Sequence, residues 1–229
     1  MGTHDVTTPD GVHHLALEVE FGDGELRLDT AAIETDHGLL LVDTGVPGTI
    51  DPLTTRLRDA GFKLRDVATV LITHQDADHA GNLADLRERV DPFVLAHEAA
   101  ARVVDGREPP RGSDGSGRYP PASVDLELRA EATIRTRGGP ARVVPTPGHT
   151  PGHVSLYFPD SGFLLAADAL TAEEGRLCGP RPDVTEDVKE ANASVERLAA
   201  LDVEQTLCYH GGLVDAGSDR IAEIAAESA

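Results

Sequence analysis

The stretch that decides the reading is 67-VATVLITHQDADH-79, an apolar run that opens directly into His74, Asp76, Asp78 and His79. Val67–Ile72 has the length and the β-branched content of a buried strand, and the polar residues behind it mark a turn into a helix expected over Ala80–Arg89. Four imidazole or carboxylate side chains fall within six residues here. At alternating positions a loop can aim His74, Asp76 and Asp78 at a common point, and His79 adds a donor from the start of the helix. Divalent cations that take nitrogen and oxygen ligands require such convergence. A polar loop with an Asp helix cap would use the same residue types, so this hexapeptide alone leaves both readings open.

Working outward, other predicted strands end in the same chemistry. Leu39–Val42 runs into Asp43-Thr44-Gly45, and Arg142–Val144 is followed by Pro147-Gly148-His149. Phe163–Ala167 meets Asp168, and Thr206–Cys208 meets Tyr209-His210-Gly211-Gly212. Turn chemistry alone does not place His or Asp at one strand end after another. Val12–Val19, Phe93–Ala96, Thr133–Thr136 and Val154–Phe158 also read as strands. Helices are expected at Ile50–Ala60, from about Glu98, at Asp187–Ala200 and at Asp219–Ala226. Strands and helices in both halves predict two sheets covered by helices, a four-layer α/β sandwich forming a single domain over residues 1–229. The segment 105–122 breaks the rhythm with Pro109, Pro110, Pro120 and Pro121 among glycines, serines and arginines. It is expected to be an excursion loop or lid outside the core.

With LLLVDTG around Asp43, THQDADH at 73–79, TPGHTPGH around His149, AADAL around Asp168 and CYHGG around His210, the chain resembles the metallo-β-lactamase superfamily. That family of metal hydrolases includes glyoxalase II and the quorum-signal lactonases. The resemblance implies an αββα sandwich with an active site along one edge of both sheets. It implies one metal held by His74, residue 76 and His149, a second held by Asp78, His79 and His210, and Asp168 bridging the two. Asp43 would fix the ligand loops from behind. The implied activity is a metal-dependent hydrolase in which a metal-bound hydroxide cleaves an ester, thioester or lactone, with Asp78 accepting or relaying a proton.

The departure from the family pattern is Asp76, where His is usual. Three ionised carboxylates (Asp76, Asp78 and Asp168) plus a bridging hydroxide would balance two divalent cations, whereas His at 76 would leave one net positive charge. The family implies Zn²⁺, and the extra carboxylate shifts the expectation towards Mn²⁺ or Fe²⁺. The same residue motivates a second reading, a non-haem iron redox enzyme of this fold resembling persulfide dioxygenases or diiron oxygen reductases. A third is a metal-binding protein without catalysis.

Further residues extend the picture. His153 is expected beside the ligands without binding metal, and Tyr209 is placed either to donate a hydrogen bond to a substrate oxygen or to pack its hydroxyl under the loop. Arg111 and Arg118, inside the irregular segment, would either gather an anionic substrate or balance charge on a solvated lid. His97 is expected as a helix cap or a surface residue, while His4, His13, His14 and His37 show no constellation and should face solvent. Cys178 and Cys208 lack metal-site spacing and are expected as free thiols.

The chain has 229 residues, with 40 Asp and Glu against 20 Lys and Arg, for a formal charge of −20. Only Lys63 and Lys189 are lysines. Such a balance resembles cytoplasmic proteins of salt-accumulating archaea, where screening at roughly 1 M salt shortens the Debye length to about 3 Å. It disfavours nucleic-acid binding, which needs clustered cations. No apolar run is long enough to span a membrane, and the polar start of the chain does not resemble a signal peptide. A cytoplasmic protein acting on a small molecule is expected, with the oligomeric state left open, a homodimer included.

Overall fold

The structure is a computed structural model that describes residues 7–21, 24–111 and 118–227. Its first sheet has the order β1 (Val12–Phe21), β2 (Gly24–Thr35), β3 (Gly38–Val42), β4 (Val67–Ile72), β5 (Phe93–His97) and β6 (Leu126–Leu128). The second contains β7 (Ala132–Thr136), β8 (Gly139–Pro145), β9 (Val154–Phe158) and β10 (Phe163–Ala167). A hairpin of β11 (Thr171–Glu173) and β12 (Arg176–Cys178) follows outside it, and β13 (Gln205–Cys208) and β14 (Gly212–Val214) complete the sheet in the order β14-β13-β10-β9-β8-β7. Among the described residues six α-helices accompany them: α1 (Ile50–Asp59), the single turn α2 (Ala77–Ala80), α3 (Leu83–Val90), α4 (Glu98–Val104), α5 (Val188–Ala199) and α6 (Ser218–Glu227).

Three apolar seams separate four layers. On the outer face of the first sheet, Leu39, Leu41, Val70 and Ile72 pack with Leu53 and Leu57 of α1, Leu83 and Leu86 of α3, and Ala100 and Ala101 of α4. Between the sheets, Leu40, Val42 and Leu71 meet Val143, Leu156, Phe163 and Leu165. Beyond the second sheet, Leu164 and Ala166 meet Val195 and Leu198 of α5 and Ile221 and Ile224 of α6. Alternate residues of β3 and β10 therefore enter different seams. Both faces of these strands are buried, which is why they read as uninterrupted apolar runs in the sequence. The arrangement is the αββα sandwich.

Strands β3, β4, β5 and β6 pair in parallel, as do β10 and β13. β8 and β10 both run antiparallel to β9, so the carboxyl ends of β8, β10 and β13 share one edge. Ligands bind characteristically at that edge in parallel sheets. Here the two sheets are joined across it, where Val154 donates its backbone N–H to the Thr73 carbonyl at 3.0 Å.

Three expectations change. The helix expected over Ala80–Arg89 is divided at Gly81 into α2 and α3, and Gly81 packs so tightly on Pro47 that a Cβ there would stand 2.4 Å from its ring. The strand β2, absent from the sequence reading, is the longest in the fold among the described residues. The 105–122 segment is not wholly an excursion: Tyr119 and Ala122 are buried in the first seam, and the Tyr119 hydroxyl donates to the Gln75 carbonyl. Its residues 112–117 lie outside the described residues, as does His4.

Candidate metal centre

The loop after β4 is held from behind by Asp43. This residue follows β3 with φ of 58°, a left-handed turn that swings its carboxylate under the neighbouring strand. Its Oδ1 accepts the Thr73 backbone N–H at 2.8 Å, and its Oδ2 accepts the Thr73 hydroxyl and the His79 Nδ1–H, each at 2.7 Å. With Nδ1 committed as donor, the neutral ring of His79 would offer its Nε2 lone pair to the cleft. Asn82 ties the loop down further, donating to the Thr44 carbonyl at 2.9 Å and accepting the Thr49 N–H at 3.1 Å. Thr73 and Asn82 were not singled out from the sequence. A Thr immediately before the His-rich run was the available signal for the first.

In the second half, each functional side chain is set by its own backbone. Gly148, at φ of +131°, brings His149 so close to α5 that a Cβ would lie 2.1 Å from the Ala191 nitrogen. Ala167 is left-handed at φ of 48° and coincides with a register shift against β13, which turns Asp168 out of the strand. Gly211, at φ of +110°, lets His210 lean on the Ala172 backbone. His153 is buried. Its Nε2 accepts the Asp168 N–H at 3.0 Å, so the ring proton is on Nδ1, which donates to the Thr146 hydroxyl at 2.8 Å. Burial pushes the His153 pKa well below the ordinary value, reinforced by neighbouring His74 and His149, and the ring is neutral.

These elements bring seven side chains to one cleft. His74, His149 and Asp168 offer ligand atoms within 4.8 Å of one another, and Asp78, His79 and His210 form a second such group. Asp168 reaches both, with Oδ2 at 3.6 Å from His149 Nε2 and 3.4 Å from His210 Nε2, and Oδ1 at 3.2 Å from His79 Nε2. Asp76 Oδ2 lies 3.3 Å from His149 Nε2 and 3.7 Å from His74 Nε2. Asp78 Oδ2 is 3.2 Å from His210 Nε2.

Three buried atoms in this cluster have no aligned hydrogen-bond partner: His74 Nε2, His79 Nε2 and Asp168 Oδ1. Leaving such groups unpaired is costly, and all three belong to the two donor groups. A set of imidazole nitrogens and carboxylate oxygens in that state fits divalent cations. The electrostatics agree. Burial pushes the Asp168 and Asp78 carboxyls up, but the charges of His79 and the bonds from His210 outweigh it and hold both below the usual carboxylate range. Burial lowers the His210 pKa, and Asp168 and Asp78 more than offset it, raising it to about 9. Burial likewise opposes protonation of His79, and the Asp43, Asp168 and Asp78 charges raise it well above the ordinary value.

A cavity of about 290 Å³ opens onto the cluster, lined by Asp76, Asp78, His149, Asp168 and His210 together with Leu26, Thr171, Arg181, Val184 and Arg111. Leu26, Arg181 and Val184 come from segments that carry no motif, and they were missed.

Two substrate-facing expectations are corrected. Tyr209 does not face the cavity: its buried ring stacks on His79 at 3.7 Å between centroids, and its hydroxyl donates to the Asp78 carbonyl. Arg118 points away, donating to the carbonyls of Val103, Tyr119 and Glu108 and so closing the turn after α4. Arg111 does reach the cavity, but its guanidinium is engaged by Asp76 at 3.1 Å and by the His149 carbonyl at 3.2 Å. His97 caps α4 as expected, accepting the Ala99 N–H at 3.2 Å. His13 and His14, expected in solvent, pair with Glu34 at 3.0 Å and with buried Asp29 at 2.7 Å. Both cysteines are free.

Residues 28–210 match the metallo-beta-lactamase superfamily, a span that holds both donor groups. This chain belongs to that superfamily. It is 29% identical over 203 residues to the probable metallo-hydrolase YflN of Bacillus subtilis (strain 168), covering 76% of each chain. It is 34% identical over 145 residues to a hydroxyacylglutathione hydrolase of Rhodopseudomonas palustris (strain BisB5), covering 59% of this chain and 49% of that one. The chain thus spans about half the length of that relative. Among solved structures, a metallo-beta-lactamase family protein of Thermus thermophilus superposes with a TM-score of 0.74 at 25% identity, covering 95% of this chain and 79% of that chain. The fold recurs in the metallo-beta-lactamase SMB-1, with a TM-score of 0.71 at 17% identity and coverage of 96% and 92%.

Proposed function

We propose that this metallo-β-lactamase superfamily member is a hydrolase that uses two divalent metal ions to cleave an ester, thioester or lactone. The observation that carries the reading is the pair of three-atom donor groups with Asp168 reaching both. His74, Asp76 and His149 would hold one ion, Asp78, His79 and His210 the other, and Asp168 would join them. Bound there, the ions would lower the pKa of a shared water towards about 7 and polarise a substrate carbonyl.

The protein's own groups do the remainder. Asp43 holds His79 in the tautomer that presents Nε2. His153 supports the Asp168 backbone as a neutral acceptor. Asp78, a quarter exposed and open to the cavity, is the carboxylate that would accept or relay a proton. Leu26 and Val184 give the cavity an apolar wall for the acyl portion, and Arg181 also lines it, with its guanidinium bonded to Asp183 at 2.8 Å. The relatives' names, a probable metallo-hydrolase and a hydroxyacylglutathione hydrolase, support this class of reaction. Among the described residues no helix is long and apolar enough to cross a membrane. The acidic composition supports work in a salty cytoplasm on a small-molecule substrate rather than on nucleic acid.

The test is hydrolysis of a panel of thioesters, lactones and p-nitrophenyl esters in dilute buffer and in high salt. Chelated protein is compared with protein restored by Zn²⁺, Mn²⁺ or Fe²⁺. Hydrolysis that disappears on chelation and returns with metal supports the proposal. Asp76 favours one rival, an iron redox enzyme, and visible iron absorption with oxygen consumption in the isolated protein would replace the hydrolase reading. Metal uptake with neither activity would leave a binding protein.

A further inference from the structure

Arg111 sits where two loops from different sheets meet. Its Nη2 donates to Asp76 Oδ2 at 3.1 Å, its Nη1 donates to the His149 carbonyl at 3.2 Å, and its Nε lies 3.7 Å from Glu186 Oε1. The Asp76 oxygen it holds is the same one that faces His149 Nε2 at 3.3 Å and His74 Nε2 at 3.7 Å. One carboxylate oxygen is therefore shared between a fixed cation and the first donor group. The guanidinium fork also ties the loop after β4 to the loop after β8, through Asp76 and the His149 carbonyl. An arginine cannot lose its proton, so this positive charge stays beside the centre at any working pH.

We propose that Arg111 is a positioning residue that makes Asp76 usable as a metal ligand. It orients the carboxylate towards His74 and His149 and offsets its charge, so that Asp76 and Arg111 together present the first metal with a ligand of nearly zero net charge. Among the carboxylates of the cleft, Asp76 alone is bonded to an arginine among the described contacts; Asp78 and Asp168 meet histidines. Residues 76 and 111 thus act as one unit. A neutral side chain at 76 leaves Arg111 with only the more distant Glu186 carboxylate as counter-charge beside a divalent ion, and loss of Arg111 leaves a carboxylate that is more anionic and less fixed. This revises the simple charge count made on the sequence, in which Asp76 reduced the net positive charge by a full unit. The inference rests on the two-metal reading above but not on the substrate.

The experiment is a double-mutant cycle in metal affinity, using Zn²⁺ and Mn²⁺ in competition with a chromophoric chelator, on the wild-type chain, Asp76→His, Arg111→Ala and the double variant. Asp76→His with Arg111 in place is expected to weaken the first of the two sites about tenfold or more, in the range seen when a ligand's supporting group is lost. Adding Arg111→Ala to it should restore binding to within about threefold of wild type. Arg111→Ala alone should shift the affinity ratio towards Mn²⁺ over Zn²⁺, a readout that survives if the histidine variants fold poorly. Zinc binding by Asp76→His as tight as wild type, or Arg111→Ala having the same effect in both backgrounds with an unchanged Mn²⁺ to Zn²⁺ ratio, would overturn the proposal. A wild-type chain that binds no metal would instead remove the two-metal reading beneath it.

Discussion

The first sheet sends four of the seven clustered side chains from one loop, His74, Asp76, Asp78 and His79, whereas the second sends one per strand end: His149 after β8, Asp168 after β10 and His210 after β13. The two halves also hold these groups differently. The first braces its loop with side chains, through Asp43, Thr73 and Asn82. The second has one side-chain brace, His153 beneath the Asp168 N–H, and otherwise relies on backbone that leaves no room for a Cβ, at Gly148 and Gly211, and on a left-handed Ala167. A loop that carries several donors can share one polar brace. Donors that arrive singly must each be aimed by the local course of the chain.

Asp168 is the point where the halves depend on each other, so its loss should have the largest effect. Asp168→Ala is expected to remove both metal ions, measured by elemental analysis, and to lower hydrolysis by about a thousandfold or more, equivalent to roughly 4 kcal/mol of barrier. Retention of one full equivalent of metal would show that the two donor groups are independent.

Gly211→Ala attacks the second half through its backbone. A Cβ there would stand 2.0 Å from the Ala172 carbonyl oxygen at φ of +110°. The cost is expected at roughly 2–3 kcal/mol, a fall in Tm of about 5–10 °C for a chain of this length, with metal binding weakened because His210 is displaced. A melting curve that matches wild type would break the contrast drawn between the halves.

Asp43→Asn attacks the first half through its polar brace and keeps the side chain's shape. Metal affinity should fall about 10–100-fold with Tm of the metal-free protein changed much less than in Gly211→Ala, since His79 loses its acceptor while the fold keeps its packing. Equal effects of the two substitutions on Tm would erase the distinction.

Much of this was legible. Strands buried on both faces, β3, β4 and β10, announce themselves as apolar runs, and the donors stand at their ends. The clustered loop is readable by itself, while His149, Asp168 and His210 gain meaning only jointly, since each alone is an ordinary polar residue after a strand. β2 escaped because Asp29 and Thr30 interrupt its buried stretch. Asp29 is tolerated there only through His14 at 2.7 Å from the neighbouring strand and a bidentate Arg27. That pairing is invisible before the register is known, and it is also why His14 was read as solvent-facing. Tyr209 was misread for a related reason: adjacency to His210 in sequence places it, on a strand end, on the opposite side.

The metal-free cluster should reveal itself in its protons. His210 is raised to about 9 by Asp168 and Asp78 against the cost of burial. A raised value means its contribution to the metal-free protein is complete below the ordinary histidine pKa of about 6.5 and is lost as pH rises through about 9. A metal needs the neutral ring, so uptake should expel a proton within that window, and apparent affinity should climb with pH across it. Calorimetry in buffers of different ionisation enthalpy measures the release. Titrations with no proton release between about pH 7 and 8 would contradict the arrangement around His210.

The smallest effect separates the two roles considered for Tyr209. Tyr209→Phe keeps the ring that stacks on His79 and removes only the hydroxyl bonded to the Asp78 carbonyl. If the residue braces the first half's loop from beneath, stability should drop by about 1 kcal/mol, the usual net worth of one hydrogen bond, with KM unchanged. A hydroxyl that touched the substrate would instead raise KM and leave Tm alone. The buried position of the ring predicts the first pattern, because a group that contacts no solvent in the open cavity has no route to a substrate oxygen.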